Sequence, residues 1–252
     1  MQVSTEKNPN SLIVKEDGSV EIPMMQLPKD TSTADMIGLI VYNGKIYTQT
    51  SSEIDAEDAN ALLGVKLGTT KGTIDEWSEQ DAYDEEFAST IGKSDIYSVV
   101  GYDKDFRIMA YEESDGVDNS VFYESLNGIT VNSGEDVLGK LNMVGNVSTA
   151  QYRIFSDWDN NMDNYHSISD MNSVNSFIAK LNEAKPFLRG INSEPINDSR
   201  NDEDFRELTI RLNDGSKVSL ILLKGGYIYY GFVDVYFKVN EDEFSKMWVL
   251  LQ

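Results

Sequence analysis

The stretch Asp157-Trp158-Asp159-Asn160-Asn161-Met162-Asp163 places side-chain oxygens on alternate residues, at Asp157, Asp159, Asn161 and Asp163. A calcium loop begins this way, because Ca²⁺ gathers several hard oxygen ligands. An EF-hand also needs a glycine at its sixth position for the sharp turn and a bidentate glutamate at its twelfth. Met162 and Ile168 stand at those positions, so the segment is a weak Ca²⁺ candidate beside its plainer reading as a solvated loop. Paired carboxylates are the next chemistry to weigh, since a glycosidase needs two of them about 5 to 10 Å apart. Asp103 and Asp105 beside the Gly101-Tyr102 turn are candidates, as are Glu112, Glu113 and Asp115. With 43 acidic residues in the chain, many such pairs arise by chance, and turn or surface roles are the simpler account. His166 is the single histidine and lies near Ser167, Ser169 and Asp170. No Gly-x-Ser-x-Gly elbow accompanies it, so a surface position is expected. The glycines from Gly64 to Gly72 follow a helix rather than opening one and lack Gly-Lys-Ser/Thr, so they read as turns and not a phosphate cradle. No catalytic residue is assigned, and no cofactor is expected apart from the weak Ca²⁺ candidate.

Recognition is the chemistry that remains. Tyr227, Tyr229 and Tyr230 lie in an aromatic-rich segment with Phe232, Tyr236 and Phe237. On a strand Tyr227 and Tyr229 face one side while Ile228 and Tyr230 face the other. One side belongs to a core; the other is a candidate platform for a protein, peptide or sugar, because tyrosine offers contact area with a polar tip.

Composition narrows the partners. There are 43 Asp plus Glu against 21 Lys plus Arg, a formal net charge of −22, and no cysteine. Such a surface repels phosphate backbones and anionic headgroups, so nucleic acid is not an expected partner. Without cysteine there is no thiolate nucleophile or thiolate metal site, and one imidazole does not make a histidine-rich zinc site. No apolar run approaches the ~18 residues of a transmembrane helix. The start, Met1 to Ser11, has no n-region or h-region, so no signal peptide is expected in the sequence as it stands.

The elements that position these residues are legible from period and punctuation. Residues 1–34 read as a flexible polar tail or linker, with Lys29 to Thr33 linker-like and Ser19 to Met25 as a candidate edge strand. Residues 35–150 read as a β-rich α+β domain. It begins with an Asn43-Gly44 hairpin, because a type I′ turn needs positive φ at both central residues. A short helix from Asp55 to Leu63 follows, then Lys66 to Ile74 as strand and Asp75 to Thr90 as an acidic loop around Trp77, Tyr83 and Phe87. Strands are expected at Asp95–Val100, Phe106–Tyr111 and Ser120–Glu124. Residues 151–173 read as a connecting loop. Residues 174–252 read as a second α+β domain, a four-stranded antiparallel sheet with flanking helices. Val174, Phe177, Ile178 and Leu181 make one helical face, limited by Pro186; Asp214-Gly215 turns a hairpin; Asn240 caps a last helix bearing Phe244, Met247, Trp248 and Leu251.

Three segments carry a resemblance: Asp35 to Tyr47, Leu63-Gly64-Val65-Lys66-Leu67-Gly68, and Ile96 to Asp103. Their pattern is a Tyr-x-Gly-x-x-Tyr hairpin, a helix running into Leu-Gly-x-x-Leu-Gly, and an Ile-Tyr-x-Val-x-Gly-Tyr strand. It resembles uncharacterised exported proteins, lipoproteins or sensor ectodomains, of Clostridia and related Firmicutes. The resemblance covers about Asp35 to Glu124, with a weaker similarity through the final sheet and helix. It implies an extracytoplasmic binding or sensing protein, processed from a membrane-anchored lipoprotein precursor, and carries no catalytic residue over. The chain itself has no lipobox cysteine. The expectation is therefore a non-enzymatic binding protein. The alternatives are a carboxylate-based glycan hydrolase and an acidic intracellular inhibitor or immunity protein.

Overall fold

Asn43 and Gly44 both take positive φ, 51° and 71°, and the flanking strands pair as the turn requires, Tyr42 opposite Lys45 and Val41 opposite Ile46. The same logic of turn and alternation builds the rest of the chain. The computed structural model describes residues 11–26, 38–72, 87–114, 117–188, 199–231, 233 and 235–252. The expected linker at Lys29–Thr33, the aromatic loop residues Trp77 and Tyr83, and Asp115 and Phe232 lie outside the described residues. In chain order the elements are β1 (Ile13–Val14), β2 (Val20–Ile22), β3 (Leu39–Tyr42), β4 (Lys45–Gln49), β5 (Ser52–Ile54), α1 (Ala56–Leu62), β6 (Leu63–Thr69), β7 (Ala88–Ser89), β8 (Asp95–Val99), β9 (Arg107–Ser114), β10 (Val117–Glu124) and β11 (Ile129–Val131). Two 3-10 turns follow, then β12 (Val147–Ile154), α2 (Phe155–Asp159), β13 (His166–Ile168), α3 (Met171–Leu181), β14 (Lys185–Leu188), β15 (Phe205–Leu212), β16 (Ser216–Leu223), β17 (Tyr227–Tyr230), β18 (Val235–Lys238) and α4 (Glu241–Val249).

Among the described residues the strands form three antiparallel sheets. The first is three-stranded, β1-β2-β11; the second is seven-stranded, β6-β8-β9-β10-β4-β3-β7. The third has eight strands, β13-β12-β15-β16-β17-β18-β14, with β5 also paired to β16. The described chain is mostly β-sheet with few helices, α+β or β-rich, and the expected four-stranded sheet is a sheet of eight strands. Two departures explain the difference. The segment expected to be a connecting loop supplies β12, α2 and β13; in β12 the apolar Ala150 and Tyr152 alternate with Gln151 and Arg153. Pro186, expected to stop a helix, lies in β14 at the sheet edge, where its missing N–H is tolerated. Part of the expected tail is also folded, since Val20 and Ile22 are buried in β2.

The main core lies on one face of the third sheet. Leu208, Ile210, Leu220, Leu222, Ile228 and Phe237 meet Val174, Phe177, Ile178 and Leu181 of α3 and Phe244, Met247 and Trp248 of α4. Each fully buried side chain of this kind contributes about 1.5–3 kcal/mol. Asp170 caps α3 by accepting from the Ser173 N–H, and Asn240 caps α4 through the Asp242 N–H. Two smaller cores cover the faces of the second sheet: Ile40, Tyr47, Ile96, Ile108 and Tyr123 on one, and Val99, Met109 and Phe122 beneath Ala59 and Leu62 of α1 on the other.

The halves of the chain are sewn together. β5 comes from the first half yet pairs with the start of β16, Ser52 opposite Val218 and Ile54 opposite Ser216. Beside it Arg211 donates to Asp55 and to Asp58, both at 2.5 Å, and Lys217 donates to Asp55 at 2.6 Å. Asp55 does stand at the N-cap of α1, but its carboxylate serves these cations rather than the helix N–H groups. Among the described residues no helix is long and apolar enough to cross a membrane.

Candidate binding surfaces

Strand alternation decides what the tyrosines of β17 can meet. Tyr227 and Tyr229 project onto the outer face of the third sheet and are half-buried. Tyr230 projects inward and is 1% exposed, so it is not part of a platform. Its hydroxyl donates to Glu124 Oε2 at 2.7 Å and lies 2.8 Å from both Ser52 Oγ and Thr50 Oγ1. The Glu124 carboxylate in turn accepts from Arg107 Nε at 3.0 Å and Nη2 at 2.5 Å, and Arg107 Nη2 also donates to Ser52 Oγ at 3.0 Å. Five polar side chains, from β5, β9, β10, β17 and Thr50 just after β4, thus meet where the second and third sheets join. Arg107 Nη1 has no hydrogen bond; its guanidinium lies 4.3 Å from the Tyr102 ring and 4.7 Å from the Phe122 ring, whose π faces attract the charge. Burial opposes that charge, but Glu124, Tyr230 and Tyr102 outweigh it and hold the Arg107 pKa above its ordinary value. Burial, then the Glu124 charge, pushes the Tyr230 phenol strongly up.

The outer face carries a strip of rings that the β17 segment alone did not disclose. Phe205, Leu223 and Tyr236 are its buried spine, and Phe155, Trp158, Ile221, Tyr227 and Tyr229 pack against it half-buried. Ring centroids lie 5.0 Å apart for Trp158 and Phe205, 5.7 Å for Tyr229 and Tyr236, and 5.7 Å for Phe187 and Tyr227. Phe187 on the edge strand β14 ends the strip 52% exposed. The Lys238 ammonium sits 4.0 Å above the Tyr227 ring. Phe155 and Trp158 were missed because their segment read as a loop. The signal available was the alternation through β12 leading directly into them.

The metal candidates do not converge. Asp157 is buried in α2 and accepts from Asn164 Nδ2 at 2.9 Å, while its carbonyl accepts from the Met162 N–H at 2.8 Å. Asp159, Asn161 and Asp163 are exposed, and the left-handed Asn161 (φ 53°) turns the chain between them. Among the described residues the one acidic triad within 4.8 Å is Asp55, Glu57 and Asp58, and Arg211 and Lys217 already supply its positive charge.

Two of the catalytic candidates, Asp103 and Asp105, have partners of their own. Asp103 accepts from the Asp105 N–H in a turn. Asp105 pairs with Lys45 at 2.9 Å, and that hydrogen bond holds its carboxyl below the usual range. Glu113 lies in β9 opposite Asp118. His166 is exposed on β13 and stacks on the Tyr152 ring with centroids 5.1 Å apart. Glu207, buried, clamps Arg153 through both oxygens.

A second surface lies at the far end of the second sheet, an open cleft of about 440 Å³ lined by Thr69, Lys93, Asp95, Tyr97, Tyr111 and Glu112. Asp95 accepts from Lys66 Nζ and from Thr69 Oγ1, both at 2.6 Å, and these bonds hold its carboxyl below the usual range, Lys66 first. The Tyr97 and Tyr111 rings meet edge to face at 6.2 Å. Compared with family models, with curated proteins and with solved structures, the chain matches none.

Proposed function

We propose that this chain is a non-enzymatic, extracytoplasmic binding protein whose partner, a protein or peptide, docks on the aromatic strip of the third sheet. The observation that carries the reading is Phe187, a large apolar ring left 52% exposed at the end of a ring cluster on the face of the third sheet opposite α3 and α4. Tyrosine, tryptophan and phenylalanine in such a setting give contact area at low cost in side-chain entropy. A second copy of this chain is a poor occupant, because each copy carries a net charge of −22. The extracytoplasmic location and the lipoprotein precursor rest on the resemblance of the hairpin and glycine segments. The hydrolase alternative gains nothing from the buried acids: Glu124 and Glu207 are spent on arginines.

The test replaces Phe187 by a photoreactive benzoylphenylalanine in the intact protein, with Val144, 49% exposed, as the control position. On irradiation with the envelope fraction of the source cells, position 187 is expected to give one discrete adduct that unlabelled protein competes away. Equal labelling from both positions would exclude the strip as the docking face.

A further inference from the structure

Thr69, Asp95, Tyr111 and Ser120 stand opposite one another across four adjacent strands, β6, β8, β9 and β10. They share the face on which α1 packs, since the Tyr111 hydroxyl donates to Asn60 Oδ1 of that helix at 3.0 Å. Farther along the same face Val99, Met109 and Phe122 are buried under α1. Where the helix no longer covers the sheet, the apolar side chains give way to this polar and aromatic row, and the cleft of about 440 Å³ opens over it. A volume in this range suits a small ligand.

We propose that this cleft binds a neutral saccharide of one or two rings. A pyranose presents an apolar C–H face and a rim of hydroxyls, and the cleft offers both complements. Tyr97 and Tyr111 set two rings at 88° to each other, a corner with one face and one edge. Around it stand Asp95, Lys93 and Thr69, donors and acceptors for vicinal hydroxyls. Asp95 is already fixed by Lys66 and Thr69, so its spare lone pairs are aimed before any ligand arrives. The charges argue for neutrality in the ligand. Lys66 pairs with Asp95, and Lys93 and Glu112 line the cleft with one charge of each sign, so it is locally balanced on a molecule of net charge −22. An anion would have to approach against the field of the whole protein, and a cation would find equal or better acidic sites over most of the surface. This site is separate from the aromatic strip, and its failure would leave the docking reading untouched.

The test is saturation-transfer NMR and calorimetry on the full chain with cellobiose, maltose, mannobiose and N,N′-diacetylchitobiose. At least one is expected to bind, with an affinity that changes less than about twofold between low and moderate salt, since a neutral ligand releases no counterions. Tyr97→Ala is expected to weaken it about tenfold or more. Lys93→Ala, at an exposed position lining the cleft, is expected to weaken it severalfold with Tm unchanged. Neither change should alter cross-linking from position 187. The proposal is overturned if none of the four disaccharides binds, if both variants bind as tightly as the parent, or if affinity falls steeply with salt.

Discussion

A single arginine does much to define this molecule. Arg107 and Glu124 are 0% and 3% exposed at the side chain, and each has partners that the other does not supply. Removing one member of a buried pair leaves an uncompensated charge, a loss of about 3–5 kcal/mol. Arg107→Ala is therefore expected to lose that much in urea denaturation, while Arg107→Met with Glu124→Leu recovers most of it. Tyr230→Phe keeps the ring and strips the hydroxyl from Glu124, Ser52 and Thr50, and about 1–3 kcal/mol should go with it. None of this was visible in the sequence. Tyr230 read as one of three tyrosines with equal claim to a surface, and alternation could say only that it opposed Tyr227 and Tyr229. Which side was interior depended on an acid 106 positions away.

Elements were more legible than residues where the signal was local. The Asn43-Gly44 and Asp214-Gly215 hairpins, the face of α3 and the cap of α4 all follow from spacing and turn chemistry. Elements whose identity rests on a distant partner were not. β5 is three residues long and is a strand because β16 extends past β17 to receive it. β14 contains a proline and was passed over; it is a strand because β18 presents an open edge. Gly134 marks another such dependence. It opens a 3-10 turn whose N–H donates to the Ala184 carbonyl, and a Cβ there would overlap the carbonyl of Leu181 at the end of α3. Gly134→Ala is expected to cost about 3 kcal/mol by forcing that turn and helix apart, seen as a lower midpoint in chemical denaturation.

At the scale of the whole molecule the net charge of −22 opposes compaction. Raising salt from about 0.01 M to 0.15 M shortens the screening length from ~30 Å to ~8 Å, so Tm should rise, by about 2–4 °C for each kcal/mol of repulsion removed. A falling Tm would mean that the ion pairs outweigh the repulsion. Acid acts with the opposite sign on a few groups. Asp55 is held below its ordinary pKa, by the Lys217 hydrogen bond first and Arg211 next. A lowered folded-state pKa contributes stability that is complete above the unfolded value near 3.8 and is lost as pH falls through the folded value. Its side chain is 37% exposed, so the contribution is screened to about 0.2–1 kcal/mol. Asp55→Asn should therefore be the less stable protein at neutral pH, and the gap should close as both are titrated below that range. The junction around Arg107 also constrains how the chain is made. A ribosome delivers β9 and β10 together, so the ion pair can form early, but the phenol that completes the Glu124 shell comes on β17, over a hundred residues later. Until then the nascent first half carries a half-solvated salt bridge and an unmatched β5. It should stay vulnerable to protease while β16 and β17 are still within the ribosome and become resistant in one step once both have emerged.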